Sequence, residues 1–196
     1  MRRQSTYPIL KLSLLALLVF RFTVLAQVET ESMKEFNARV KAYMELQKRV
    51  SSNDPPLAKI ETDPHNIAIR TKALANGIQQ ARTSAKPGDV FSPQVAQEFR
   101  QIIRAELHGK AGASSRETVK TGNPAEEEGA AGKMVLAVNG SYPDKAPRSS
   151  VPPGLLLKLP QLPKELEYRF LGRHLILLDS MSNLIVDYLL DVVPKA

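Results

Sequence analysis

Between Leu166 and Tyr188 the chain reads LEYRFLGRHLILLDSMSNLIVDY, three apolar runs of strand length separated by two turn signals. Leu166, Tyr168 and Phe170 alternate with Glu167 and Arg169, a period of two that belongs to an extended strand. Gly172-Arg173 suits a two-residue type II′ turn, because glycine takes the positive φ of the first turn position without a Cβ penalty. Pairing across that turn sets Phe170 opposite Leu175 and Tyr168 opposite Leu177. A second hairpin through 180–183 sets Leu177 opposite Val186 and Leu175 opposite Tyr188. Leu166, Tyr168, Phe170, Leu175, Leu177, Leu184, Val186 and Tyr188 then share one face, and two turns agree on one register. Such a face needs a cover.

The cover is expected from the first half of the chain, where the hydrophobic period changes to that of a helix. Met33, Phe36, Val40, Tyr43 and Val50 recur at spacings of 3, 4, 3 and 7 and predict a helix over 29–50. Glu35 and Glu45 lie four residues before Arg39 and Arg49, the favoured order for pairs on an exposed face. Ser51 to Pro56 then stop it. A second helix starts at the Asp63 cap with Pro64 behind it, carries Ile67, Leu74, Ile78, Ala81 and Ala85 on one stripe, and ends at Lys86-Pro87-Gly88. A third starts at the Ser92 cap and Pro93, presents Val95, Phe99, Ile102, Ile103 and Leu107, and closes at Gly109. Three amphipathic helices with short connections predict an antiparallel bundle over 27–110.

Five of the ten glycines fall in 109–132, with the acidic run Glu126-Glu127-Glu128 among them. A flexible linker over 111–132 is expected, with one short helix near 115–120. Six of the fourteen prolines then lie between Pro143 and Pro163. That stretch reads as extended and irregular, with a single helical turn at 155–159. Residues 134–138 are a short strand candidate, ended by an Asn139-Gly140 turn. The fold class is therefore α+β: a three-helix bundle, a Gly/Pro-rich linker, and a Pro-rich segment with a β-meander over 133–196 packed on the helices.

The amino terminus reads as an address. Arg2 and Arg3 precede the apolar run 12–20, and Val24-Leu25-Ala26 places small residues at the −3 and −1 positions, so a signal peptide cleaved near Ala26 is expected. The apolar run is nine residues, short of the roughly 20 a spanning helix requires. Arg21, between the run and the cleavage site, keeps an uncleaved anchor open as the alternative. The expected location is periplasmic or secreted. The formal charge of +7 shrinks with the leader: without 1–26 there remain 23 basic and 20 acidic residues, a net of +3, which does not argue for nucleic acid. The absence of cysteine excludes thiolate chemistry, disulfides and Cys-ligated metal.

Three segments carry a resemblance. Phe36-Asn37-Ala38-Arg39-Val40-Lys41-Ala42-Tyr43, Gly88-Asp89-Val90-Phe91-Ser92-Pro93 and the tail 166–187 resemble a family of exported bacterial proteins without an assigned function. The tail hairpin is also weakly similar to those ending small periplasmic proteins of the nickel/cobalt-homeostasis type, over the alternating pattern alone. The first resemblance implies a bacterial envelope or extracellular setting; neither supplies an activity, a cofactor or a site residue.

The residues themselves offer few chemical motifs. His65, His108 and His174 sit in separate elements, with no HExxH and no acidic calcium loop, so no metal site and no cofactor are expected. There is no Gly-x-Ser-x-Gly elbow and no Ser-x-x-Lys. Two patches stand out. In the expected register Glu167, Arg169, His174 and Asp187 share the second sheet face with Ile176, Leu178 and Ile185, and Arg169 and Asp187 flank Ile176. That is either a small polar site on an apolar floor or a half-exposed face with an ordinary salt bridge. Arg70, Lys72, Arg82 and Lys86 give the second helix four cations and no acid between Pro64 and Gly88. This is either a solvated face or a strip that meets anionic membrane or glycan. The expectation is a non-catalytic module that binds an envelope component or another protein; the alternative is a carboxylate-dependent hydrolase of cell-wall or extracellular polymer, which needs two convergent carboxylates.

Overall fold

The computed structural model describes residues 30–52, 63–121, 123, 136–143 and 147–194. The expected signal peptide, the 53–56 part of the first helix's expected stop and the acidic run 126–128 lie outside the described residues; the helix itself ends at Ser51, inside the expected stop. The elements are α1 (Glu31–Ser51), α2 (Pro64–Ala81), α3 (Pro93–Leu107), α4 (Ala113–Lys120), α5 (Pro153–Leu156), β1 (Leu166–Leu171), β2 (His174–Asp179) and β3 (Leu184–Leu189). The fold is α+β, with the helices preceding a three-stranded antiparallel sheet of order β1-β2-β3.

The helix starts follow from their caps. Thr30 Oγ1 accepts the Met33 amide at 3.3 Å, Asp63 Oδ1 the His65 amide at 2.9 Å, and Ser92 Oγ the Val95 amide at 3.4 Å. The stripes of α1 and α3 are buried as their spacing predicts, through Met33, Phe36, Val40 and Tyr43 on one and Val95, Phe99, Ile103 and Leu107 on the other. The second helix differs. It ends at Ala81, Arg82 turns out of it at φ −122°, and its buried residues are Leu74, Ala75 and Ile78. Leu74 and Ile78 are buried as the spacing predicts, whereas Ile67 is 47% exposed, Ala81 is exposed and Ala85 lies half-buried beyond the helix end. α1 packs against both α2 and α3.

The first hairpin has the expected pairing, Tyr168 with Leu177 and Phe170 with Leu175, and Gly172 holds φ +58° in the turn. The second hairpin keeps the expected register only beside its turn, where Asp179 pairs with Leu184 and Leu178 with Ile185. A bulge follows. Leu177 pairs with Asp187 and not Val186, and Leu175 with Leu189 and not Tyr188. One extra residue on β3 shifts every later side chain by one position. Leu189 therefore joins the helix-side core, while Tyr188 packs on the opposite face.

Both faces of the sheet are covered. On the helix side Phe36, Phe91, Phe99 and Tyr168 form one aromatic cluster, with Phe36 and Phe99 centroids 5.0 Å apart and Phe91 edge-on to Phe99 at 5.1 Å. On the other side Leu171, Ile176, Leu178 and Ile185 are buried under Tyr142, whose hydroxyl donates to the Pro147 carbonyl at 2.6 Å. The apolar floor of the expected second face is thus interior, while Glu167, Arg169 and His174 stay half-buried. The 136–138 part of the expected strand is not a strand; the chain turns at Val138-Asn139, with Asn139 at φ +59°, and Ser141 bridges to Leu184.

Candidate functional site

The sequence pattern places Glu167, Arg169, His174 and Asp187 together; the fold separates them. Glu167 and Arg169 remain neighbours. Arg169 Nη2 donates to Glu167 Oε2 at 2.6 Å, Arg148 Nη1 approaches Glu167 Oε1 at 3.2 Å, and Arg169 Nη1 donates to the Ser149 carbonyl at 3.1 Å. His174 lies at the far end of β2, where its Nδ1 accepts the Asp191 amide at 3.0 Å. Asp187 is fully buried, displaced by the bulge towards the helices. Its Oδ1 accepts from the Gly88 and Tyr188 amides at 3.1 and 2.8 Å, and its Oδ2 from the Val90 and Phe91 amides at 2.7 and 2.8 Å. The expected ion pair of Arg169 with Asp187 across Ile176 does not form. Asp187 is instead the anchor of the α2–α3 joint, its charge matched by four backbone dipoles.

Segments 36–43, 88–93 and 166–187 come together around this anchor. Arg39 binds Glu35 through Nε and Nη2 and donates from Nη1 to the Asp89 carbonyl at 2.5 Å, and Glu35 Oε2 accepts the Ser92 hydroxyl at 3.0 Å. The hydrogen bonds from Arg39 and Ser92 hold the Glu35 carboxyl below the usual carboxylate range. A second buried carboxylate, Asp179, ties α1 to the turn after β2. It accepts from the Tyr43 hydroxyl and Gln47 Nε2, both at 2.7 Å, and from the amides of Met181 and Ser182 at 2.9 and 3.1 Å. Burial, and next the Asp179 charge, push the Tyr43 hydroxyl well above its ordinary value, so it stays a donor. The sequence reading missed this cluster. Its signal was Gln47, a polar residue in step with the apolar stripe of α1, together with an aspartate opening a Ser/Asn turn.

The basic strip of the second helix also disperses. Arg82 leaves the helix, donates to Asn139 Oδ1 at 2.8 Å and to the Val186 carbonyl at 3.3 Å, and lies 5.0 Å from the centroid of the Tyr43 ring. Arg70 is half-buried, and Lys72 and Lys86 are exposed, the latter beyond the end of the helix. Among the described residues no group of three or more His, Asp or Glu side chains is arranged to hold a metal ion.

What remains as a site is the flank of β1. A cleft of about 540 Å³ lies against that strand, lined also by Ser150, Val151, Gln161 and Leu162. Leu156 and Leu166 supply apolar lining, and the Glu167–Arg169 pair supplies charge. Tyr168 closes the inner side with its hydroxyl donated to the Pro160 carbonyl at 3.1 Å, and burial raises that hydroxyl above its ordinary value. Arg169 Nε is buried and has no partner. An apolar cleft with a few fixed polar groups at its rim suits a ligand held by shape and orientation. Compared with known proteins, the chain is matched by no family model, no curated protein and no solved structure.

Proposed function

We propose that this protein is an exported, non-catalytic binding module of the bacterial envelope. The observation that carries the binding reading is the cleft on β1, with an apolar lining and the Glu167–Arg169 pair at its rim. The hydrolase alternative relied on convergent carboxylates, and Glu167 and Asp187 sit on different sides of the sheet, Asp187 with both oxygens engaged by backbone amides. Two convergent carboxylates with a path for water are the minimum for that chemistry. Export is supported by the arginines, apolar run and Val24-Leu25-Ala26 of the leader and by the family resemblance.

Two measurements test this reading. Expression of the full chain in a bacterial host, followed by fractionation and amino-terminal sequencing, is expected to give a periplasmic or secreted protein starting at Gln27. A full-length cytosolic product overturns the export half. A photo-crosslinking residue at Gln161, compared with one at the exposed Lys72, is expected to trap a discrete envelope partner from the cleft position alone. Equal labelling from both positions overturns the binding half.

A further inference from the structure

At the outer edge of β1 both backbone groups of Phe170 and the amide of Leu166 are engaged. Phe170 is outward-facing, because its amide donates to Ser149 Oγ at 2.7 Å and its carbonyl accepts the Ser149 hydroxyl at 2.7 Å. Leu166 is outward-facing, because its amide donates to the Pro163 carbonyl at 2.9 Å. Outward groups recur every second residue along an antiparallel edge, so the amide and carbonyl of Tyr168 point the same way. Among the described residues neither has a hydrogen-bond partner. Ser149 covers the edge at Phe170, and the residues after it, Ser150 and Val151, line the 540 Å³ cleft together with Tyr168.

We infer that this cleft is a strand-addition site, in which an extended peptide lies antiparallel to β1 and exchanges two backbone hydrogen bonds with Tyr168. This rests on the reading of the protein as a binding module and specifies its ligand. An unpaired donor and acceptor on an edge strand are completed most simply by another extended backbone. The side chains fix the rest. The peptide residue opposite Tyr168 points to the Tyr168 side of the sheet, where Leu166 and Leu162 line the cleft, and is apolar. Its two neighbours face Glu167 and Arg169. In an antiparallel peptide the residue before the apolar one lies opposite the half-buried, positively charged Arg169 and is acidic. The residue after it lies opposite Glu167 and is basic. The recognised pattern is acidic–apolar–basic in an extended chain.

The probe is the peptide acetyl-Thr-Asp-Val-Lys-Thr-amide, titrated into the purified, isotopically labelled full chain and followed by amide NMR. Binding is expected to move the Tyr168 amide more than those of Phe170 and Leu166 and to slow its hydrogen exchange. Methylating the valine nitrogen removes the donor to the Tyr168 carbonyl and is expected to weaken binding about tenfold. Reversing Asp and Lys is expected to weaken it as well. Leu162→Asp, a cleft substitution away from the edge, is expected to abolish binding while the Phe170 amide stays in place, which reports that the fold is intact. A Tyr168 amide unmoved by the peptide, or equal affinity for the N-methylated analogue, overturns strand addition. A discrete partner crosslinked at Gln161 together with an unmoved Tyr168 amide overturns it too, while leaving the binding-module reading standing.

Discussion

The two edges of the sheet are finished differently. Along β3 the segment 139–142 closes the edge: Ile185 exchanges hydrogen bonds with Asn139 and Gly140 at 2.8 and 2.9 Å, and Tyr142 donates to the Asn183 carbonyl at 2.8 Å. Arg82 takes the Val186 carbonyl, and the bulge at Val186 turns Asp187 into the helix layer. Along β1 the closure is made by one serine hydroxyl at Phe170 and one carbonyl at Leu166, with the Tyr168 position between them left to the cleft. An unpaired edge invites another strand. The closed edge holds the fold together, and the gap in the other is where the proposed peptide would pair.

The largest expected effect breaks the closed side. Asp187→Ala strands the buried amides of Val90 and Phe91 and is expected to cost about 4 kcal/mol in urea unfolding, with Asp187→Asn about half as harmful. Ser149→Ala removes the one group that satisfies both Phe170 backbone atoms. A loss of about 2 kcal/mol is expected, with faster exchange of the Phe170 amide and no change at Ile185. Tyr43→Phe removes one of the four donors to Asp179 and is expected to cost about 1.5 kcal/mol.

The smallest effect concerns α5, which borders the cleft through Leu156. Lys158 donates to Glu106 at 2.7 Å and Ser115 to the same carboxylate at 3.0 Å, which together hold the Glu106 carboxyl below the usual range. A lowered folded-state value gives stability that is complete above the ordinary carboxylate value and lost as pH falls through the lowered one. Lys158→Met is expected to cost about 0.5 kcal/mol at neutral pH, shrinking to nothing in acid, and to leave unfolding elsewhere unchanged.

The legible parts of the fold were those set by neighbours in sequence. The caps and stripes of α1 and α3, the Gly172 turn and the β1–β2 register all follow from residues within a few positions of one another. The bulge was not legible, because alternation assumes an unbroken ladder. What stabilises the break is a carboxylate meeting amides 96, 97 and 99 positions away. The early end of α2 has the same origin: Arg82 finds Asn139 and the Val186 carbonyl at separations of 57 and 104 residues. Of the four residues placed on the second face, Glu167 and Arg169 do form a pair at the cleft, whereas Asp187 was misplaced by one residue of register. The cleft's other wall comes from the Pro-rich stretch, which has no periodicity to read.

Hydrogen exchange of the ligand-free protein tests the contrast between the edges most directly. The account predicts that the amides of Tyr142, Ile185 and Phe170 exchange slowly, while Tyr168, midway along the edge strand β1, exchanges on the order of a hundredfold faster than Phe170. A Tyr168 amide as protected as that of Phe170 would mean that β1 is already closed and that the cleft has no open backbone to offer.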